Sequence, residues 1–320
     1  MCYSAQIEAN YRRYIRQFGA SMSLDDFTQL YLGLVDGSSK VKTPKAMDAA
    51  FLESTADDVQ GIFRLIEQHN AAKASALEQE LFKQKKRLAD AERTLQTKTI
   101  KAATESKRIA AAKIESALRR LEDIKRTELL PRDSRIFPQH YAPVLVVEDG
   151  QRVVKPMRYG CRIAGKPTNY DVKFPGTYNA RRDNLERFWK PCFGYTHGLM
   201  VVDVFYENVA RAKLEGITLS EDEPDENVIL EFRPRTGEQV LVACLWSRWT
   251  APGEKDLFSF AAITDEPPPE VAAAGHDRCI VPIKEQYVEE WLNPDPKDLD
   301  ALYAILDDRE RPYYEHRLAA

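Results

Sequence analysis

Residues 198–207 read GLMVVDVFYE, and this stretch decides the fold. Its β-branched and aromatic side chains suit a pleated surface, and Tyr206 and Glu207 close the strand it predicts. Runs of the same texture stand on either side: APVLVVEDG (142–150), NVILEF (227–232), QVLVACLW (239–246), FSFAAI (258–263) and CIVPI (279–283). Two turns, EDG within 147–151 and RPRTGE at 233–238, each separate two apolar runs, as a hairpin requires. The body is expected to be mainly antiparallel β with peripheral helices near 284–291 and 296–307. PPPE from Pro267 reads as a rigid loop.

Upstream of Pro131 the texture changes. Residues 55–130 hold almost no Pro or Gly, and apolar residues recur at helical spacing. Leu81, Leu88, Leu95, Ala102 and Ile109 step by seven, and Ile114, Leu118, Leu121 and Ile124 continue the stripe in a shifted register. An antiparallel helical hairpin or a coiled coil follows, inserted into the body, so the fold class is α+β with a body at 1–54 and 131–320. Such a stripe serves packing on the body or on a second copy, or binding of a protein partner. Lys83, Lys85, Lys86, Arg87, Lys107, Arg108, Lys113, Arg119 and Arg120 also leave a nucleic-acid-facing side open.

The chain has 320 residues, 43% of them hydrophobic and 30% charged, with a net charge of −4 and a pI near 5.9. Composition of this kind does not point to DNA, so a nucleic-acid binder here must concentrate its cations locally. Five widely spaced cysteines without a CxxC pair support neither a disulfide framework nor a zinc knuckle. Cys161, Cys192, Cys244 and Cys279 sit in or near apolar runs and read as small buried hydrophobes. His69, His140, His197 and His316 lack metal-ligand spacing, and there is no Gly-rich phosphate loop, so neither metal nor cofactor is expected. The first residues lack an apolar signal region and no run reaches the roughly 18 apolar residues of a membrane span, so a cytoplasmic, nucleoid-associated protein is expected.

Cys2 follows the initiator Met, and removal of Met1 would leave a 1,2-aminothiol. The amine, with a pKa of about 7.7–8, and the thiol, at about 8.5, are both available near neutral pH. An aldehyde can condense with the amine and be trapped by the thiol as a thiazolidine, a ring closure favoured by its intramolecularity. By position alone Cys2 reads equally as an incidental residue of a frayed terminus, Glu207 as an ion-pair partner and His276 as a loop histidine.

Three further segments change that reading: TYNARRDNLERFWKP (177–191), VVDVFYEN (201–208) and GHDRCIVPI (275–283). An opening Met-Cys, Asn-Ala-Arg, an aromatic-Glu strand end and His-Asp-Arg before an apolar-Pro-apolar strand, in that order, resemble the SOS-response-associated peptidase (SRAP) family. IFPQHYAPVLVV (136–147) and PMRYG (156–160) resemble that family's strand entry and aromatic-Gly strand. The resemblance covers about the first twenty residues and then about 135–291, and the helical segment between looks like an insertion. It implies a β-barrel-like body with a basic single-stranded-DNA groove and a covalent crosslink between Cys2 and the aldehyde of an abasic site. It also implies that Asn179 and His276 hold and polarise the sugar and that Glu207 manages protons.

A carboxylate and an imidazole supply the base and acid that Schiff-base formation needs. Arg181 and Arg278 read as phosphate contacts, or else as internal ion pairs with Asp203 or Asp277. Arg158, Tyr159 and Tyr170 would add a stacking and charged surface for unpaired bases.

The chain departs from the family's pattern at Tyr3-Ser4, where Gly-Arg is usual, at Arg182-Asp183-Asn184, where x-Glu-Thr is usual, and at Asn208, where an aromatic is usual. PYYEHRLAA at the C-terminus has no counterpart in the family's closing segment. Two other functions stay open: a cysteine peptidase acting through Cys2 and His276, and a non-catalytic adaptor acting through the helical arm.

Overall fold

The computed structural model describes residues 3–37, 41–53, 57–98, 100–218 and 224–319. The chain divides into two compact units, one of residues 1–30, 40–54 and 130–320 and the other of residues 31–39 and 55–129.

The first unit is built on a sheet of thirteen strands: β1 (Ser4–Ile7), β2 (Ser21–Met22), β3 (Arg135–Ile136), β4 (Tyr141–Glu148), β5 (Gln151–Tyr159), β6 (Asn179–Arg181), β7 (His197–Ala210), β8 (Asn227–Pro234), β9 (Val240–Trp249), β10 (Leu257–Asp265), β11 (Cys279–Ile280), β12 (Pro282–Ile283) and β13 (Tyr314–Leu318). Most pairs are antiparallel; β2 and β10 run parallel to β5, and β6 parallel to β10.

The stretch that opens the sequence reading is the spine of this sheet. Along one edge of β7, β9 pairs with its first half (His197↔Leu245 to Val202↔Val240) and β8 with its second (Phe205↔Phe232 to Ala210↔Asn227). The other edge takes β4 at Leu145↔Leu199 and β1 from Val202 to Tyr206. Gly198 permits the β4 crossing, since a Cβ there would lie 2.9 Å from Val144 Cγ1.

This arrangement corrects two expectations. The pairings β9-β10-β5-β4-β7-β9 form a circuit, but the other strands branch from it and β4 meets β7 at one residue pair only, so the body is a branched, mostly antiparallel sheet and not a plain barrel. Of the two expected hairpins, β4–β5 forms, with Asp149 and Gly150 at φ 50° and 75° as a tight two-residue turn needs. The turn at 233–238 makes no hairpin: β8 and β9 lie end to end along β7. A turn signal marks where the chain bends and is silent on which strand receives the next edge.

Helices α1 (Tyr11–Phe18), α2 (Leu24–Val35) and α3 (Lys45–Leu52) follow β1. Asn10 caps α1 by accepting from the Arg12 amide, and Gly19 ends it at φ 62°. Tyr11 stacks on Phe51 with ring centroids 4.7 Å apart.

The second unit contains α4 (Gln60–Thr97) and α5 (Lys101–Lys125), about 57 and 37 Å long at 1.5 Å per residue. They run antiparallel, as the contacts Arg87–Ser106, Lys107–Glu92 and Lys113–Glu80 show. The line of closest approach is not the expected leucine stripe. Leu77, Gln84 and Ala91 on α4 and Ala103, Ala110, Ala117 and Leu121 on α5 are buried, whereas Leu81, Leu88, Leu95 and Ile109 are only half-buried. The two helices put alanines along most of the contact, with Leu77 and Leu121 at one end of it, and leave the leucines of the expected stripe flanking it.

The remaining helices are short: α6 (Tyr170–Lys173), α7 (Arg211–Glu215), α8 (Pro269–Ala273), α9 (Val288–Leu292) and α10 (Leu299–Asp307). Trp291 of α9 is fully buried and donates from Nε1 to the Gly198 carbonyl at 3.0 Å. Its own carbonyl lies 3.1 Å from His197 Nδ1, and burial pushes that imidazole's pKa down to about 3, so His197 is a neutral core residue. Among the described residues no helix is long and apolar enough to cross a membrane.

Candidate active site

The second half of β7 delivers Tyr206 and Glu207. β1 runs antiparallel to it with Ser4 opposite Tyr206, so the chain followed backward from Ser4 heads toward the level of Glu207. Cys2 itself lies outside the described residues. Tyr3, the first described residue, is 41% exposed and meets Phe137 and Tyr178 edge-on, with centroids 5.8 and 6.4 Å away.

Strand β1 is fastened beside β7 by polar contacts of Gln6 and Arg135, residues that belong to no motif. Gln6 Nε2 donates to the Tyr206 hydroxyl at 2.7 Å, and that hydroxyl donates to Glu231 Oε2 at 3.3 Å. Arg135 donates to Ser4 Oγ at 2.9 Å and lies 3.5 Å over the Tyr206 ring. Burial lowers the Arg135 pKa, which the nearby Tyr206 and Glu231 oppose.

Glu207 has no exposed surface, and its Oε2 stands 3.2 Å from His276 Nε2. His276 occupies the loop between α8 and β11, directly after Gly275 at φ 94°. A Cβ on Gly275 would fall 2.8 Å from Val209 Cγ1 and 3.1 Å from Lys213 Cβ, so only glycine lets this loop close on β7. Burial drives the Glu207 carboxyl up to about 8, with the charge of Asp277 adding to it. Burial also lowers the His276 imidazole against the opposing bond to the Arg278 carbonyl.

The two shifts describe a neutral pair. Nδ1 lies 2.8 Å from the Arg278 carbonyl and 3.3 Å from the Arg278 amide, and the shorter contact makes it the protonated nitrogen. Nε2 then turns its lone pair toward Glu207 Oε2, and the carboxyl, held protonated by burial, can pass a proton across that 3.2 Å contact. The pair can release or accept a proton without a net charge entering a buried place.

Asn179 begins β6, opposite Ala262 of β10, and is 5% exposed. β6 takes over from β5 on one edge of β10, while β11 takes over from β9 on the other. Thr264 therefore faces Arg181 on one side and Ile280 on the other, and the two elements bring Arg181 and Arg278 to one carboxylate. Asp183 Oδ2 lies 2.6 Å from Arg181 and 3.8 Å from Arg278. The expected partners were Asp203 and Asp277. Asp203 instead accepts from Gln239 at 2.9 Å.

Asn179 also lines a hollow of about 350 Å³ with Phe174, Thr177, Arg181, Phe188 and Trp189. Of the three residues expected to form a base-stacking surface, Tyr170 is buried behind this hollow, its ring centroid 4.8 Å from Phe174 and 6.3 Å from Phe188. Tyr159 is 1% exposed and stacks on Phe260. Arg158 is held by Asp171 at 2.9 Å, which also receives Arg162 at 2.5 Å. Near these residues, exposed aromatic rings include Phe174, 42% exposed, and Tyr3, 41% exposed. Neither belongs to a motif, and only the tertiary pairing of β1 and the loop before β6 reveals them. Cys161, Cys192, Cys244 and Cys279 are buried, and burial pushes the Cys161, Cys244 and Cys279 thiols up.

A family model described as SOS response associated peptidase (SRAP) matches residues 93–318, more than two thirds of the chain, beginning inside α4 and leaving β1 outside the match. No curated protein matches the chain. Similar solved structures include a protein from Bordetella bronchiseptica, 18% identical with a TM-score of 0.46 over 58% of this chain and 87% of that one. A phage-related protein from the same organism is 18% identical with a TM-score of 0.43 over 61% and 85%, and a protein from Bacteroides thetaiotaomicron 11% identical with 0.46 over 58% and 77%.

Proposed function

The chain belongs to the SOS response associated peptidase family, and from that premise we propose that it recognises abasic sites in single-stranded DNA and becomes covalently joined to them through Cys2. Family membership supports a role in the response to DNA damage. The observation that carries the finer reading is the buried Glu207–His276 pair, 3.2 Å apart in the second half of β7, which the chain followed backward from Ser4 approaches.

The chemistry balances with these groups. After Met1 is lost, the Cys2 amine attacks the aldehyde carbon of the opened sugar and gives a carbinolamine. Glu207, protonated up to about pH 8, gives its proton to the departing hydroxyl, and water leaves with formation of the imine. The Cys2 sulfur then adds to the imine carbon, its proton passing to nitrogen, and the thiazolidine closes. The iminium nitrogen gives its extra proton back to the Glu207 carboxylate, and His276, neutral because it is buried, shares that proton through Nε2. Asn179 orients the sugar hydroxyls without adding charge. Arg181 and Arg278 hold the flanking phosphate by exchanging Asp183 for it. Phe174 and the hollow beside Asn179 receive a neighbouring base.

The test is incubation of the full chain with single-stranded oligonucleotides with and without an abasic site, run on a denaturing gel. A covalent adduct that needs the abasic site and is absent from Cys2→Ala is expected; an adduct formed equally by Cys2→Ala overturns the assignment. Intact-mass measurement separates the peptidase reading, which requires cleavage beyond loss of Met1.

A further inference from the structure

Charge is distributed unevenly along this chain. Residues 60–125 carry fifteen Lys and Arg against nine Asp and Glu, leaving 31 against 41 elsewhere, so the helical arm has a net charge of +6 and the rest −10 within a total of −4. The excess is organised. Lys83, Lys86 and Arg87, spaced to share one face of α4, line a hollow of about 480 Å³ with Ser106 of α5. Arg87 Nε donates to Ser106 Oγ at 2.8 Å. Seven residues along each helix, Glu80 meets Lys113 at 3.6 Å, and a further seven bring Lys73 and Arg120 to the same flank.

Six cations thus line one flank against Glu80 and Asp90. Glu80 already accepts from Gln84 and Asp90 from Arg93. Among the described residues, Lys83, Lys86 and Arg120 have no carboxylate within ion-pair distance, in contrast to Arg108 and Arg126, which bond acids three residues before them on α5 and just past its end. From Lys73 to Arg87 the flank extends about 21 Å, the rise of about six nucleotides of a DNA strand at 3.4 Å each.

We propose that this flank of the arm binds the sugar-phosphate backbone of DNA, without base readout, and adds phosphate affinity to an otherwise acidic chain. Charge complementarity selects the occupant: a row of solvated cations along a hollow whose lining holds no aromatic side chain to stack bases suits a polyanion of regular spacing. The inference is independent of the crosslinking chemistry, because it concerns undamaged DNA and non-covalent binding.

The test compares Cys2→Ala with Cys2→Ala carrying Lys83→Gln, Lys86→Gln and Arg120→Gln, titrated onto a fluorescent undamaged single-stranded oligonucleotide by anisotropy over a range of salt. Loss of three phosphate contacts should lower the slope of log affinity against log salt by about 2 and weaken binding at least tenfold at low salt. Far-ultraviolet circular dichroism should show the arm still helical, and Lys83→Arg with Lys86→Arg should retain binding. Equal affinity and slope in the parent and the three-site variant overturn the proposal. So does competition by poly-glutamate as effective as by DNA, which would make an acidic protein the occupant. The three-site variant with Cys2 intact should still crosslink abasic DNA at saturating concentration, so this inference and the function proposed above fail separately.

Discussion

Glu207 in the second half of β7 and Lys83 on the arm are both ionisable side chains placed by regular secondary structure, yet they do opposite work. Glu207 has no exposure and one imidazole at 3.2 Å, so burial sets its proton affinity and a single group governs the site. Lys83 faces solvent among similar cations and acts only as one of a number. The first kind of site resists salt and responds to pH, whereas the second is screened within about 10 Å at ordinary ionic strength. What the contrast teaches is that the same residue class yields chemistry where the fold withholds water and adhesion where it does not.

The contrast is broken most directly at Glu207. Glu207→Gln should slow crosslink formation about 10²- to 10⁴-fold in a quenched time course, with no added sensitivity to salt. Its stability should also change with pH in a defined direction. Because the folded carboxyl keeps its proton up to about 8 while the unfolded one releases it near 4.5, the folded state binds more protons between those values. The contribution of Glu207 to stability is therefore full below pH 4.5 and declines as pH rises through 8; urea denaturation across that window should show the decline in the parent and lose it in Glu207→Gln. His276, lowered by burial, works the other way, its contribution declining as pH falls below 6.5.

Gly275→Ala comes next, at about 2–5 kcal/mol of destabilisation, from a positive φ and from overpacking against Val209. Crosslinking should fall with it even at temperatures where the variant is folded, since His276 would be displaced. In the arm, Ala110→Leu enlarges a fully buried residue at the helix contact and should cost about 1–3 kcal/mol in thermal unfolding, with crosslinking rate unchanged. Smallest is Lys107→Ala, which removes an exposed pair with Glu92 at 3.1 Å and should change stability by no more than about 0.5 kcal/mol in the same measurement. A large effect there would erase the distinction between the two regions.

Legibility in the sequence followed the range of the interaction. The strand over 198–207, the hairpin at 147–151 and the helical character of the region 55–130 are local properties, and among the described residues the structure has a strand at 197–210, that hairpin, and helices at 60–97 and 101–125. Glu207 and His276 could be named as candidates from motif order, but their contact spans 69 positions of chain and only the closure of the loop after Gly275 makes it. Arg158, Tyr159 and Tyr170 were grouped by residue type, while Asp171, Phe260 and Phe188 decide where they sit. Asp183 reads as a departure from a motif and turns out to join Arg181 to Arg278. Tyr3 reads only as a departure from the family's pattern and Arg135 as no part of a motif, yet both hold β1 against its neighbours.

By itself the sequence determined the periodicities, hence an α+β chain with a long helical arm, and the arm's excess of cations, because these depend only on residues a few positions apart. Tertiary structure alone decided that β8 and β9 share one edge of β7, that Leu77, Leu121 and a line of alanines rather than the leucine stripe form the arm's contact, and that a buried carboxyl and imidazole meet between β7 and β11. The physical reason is that edge pairing, close approach and desolvation are properties of neighbours in space, and those neighbours come from distant parts of the chain.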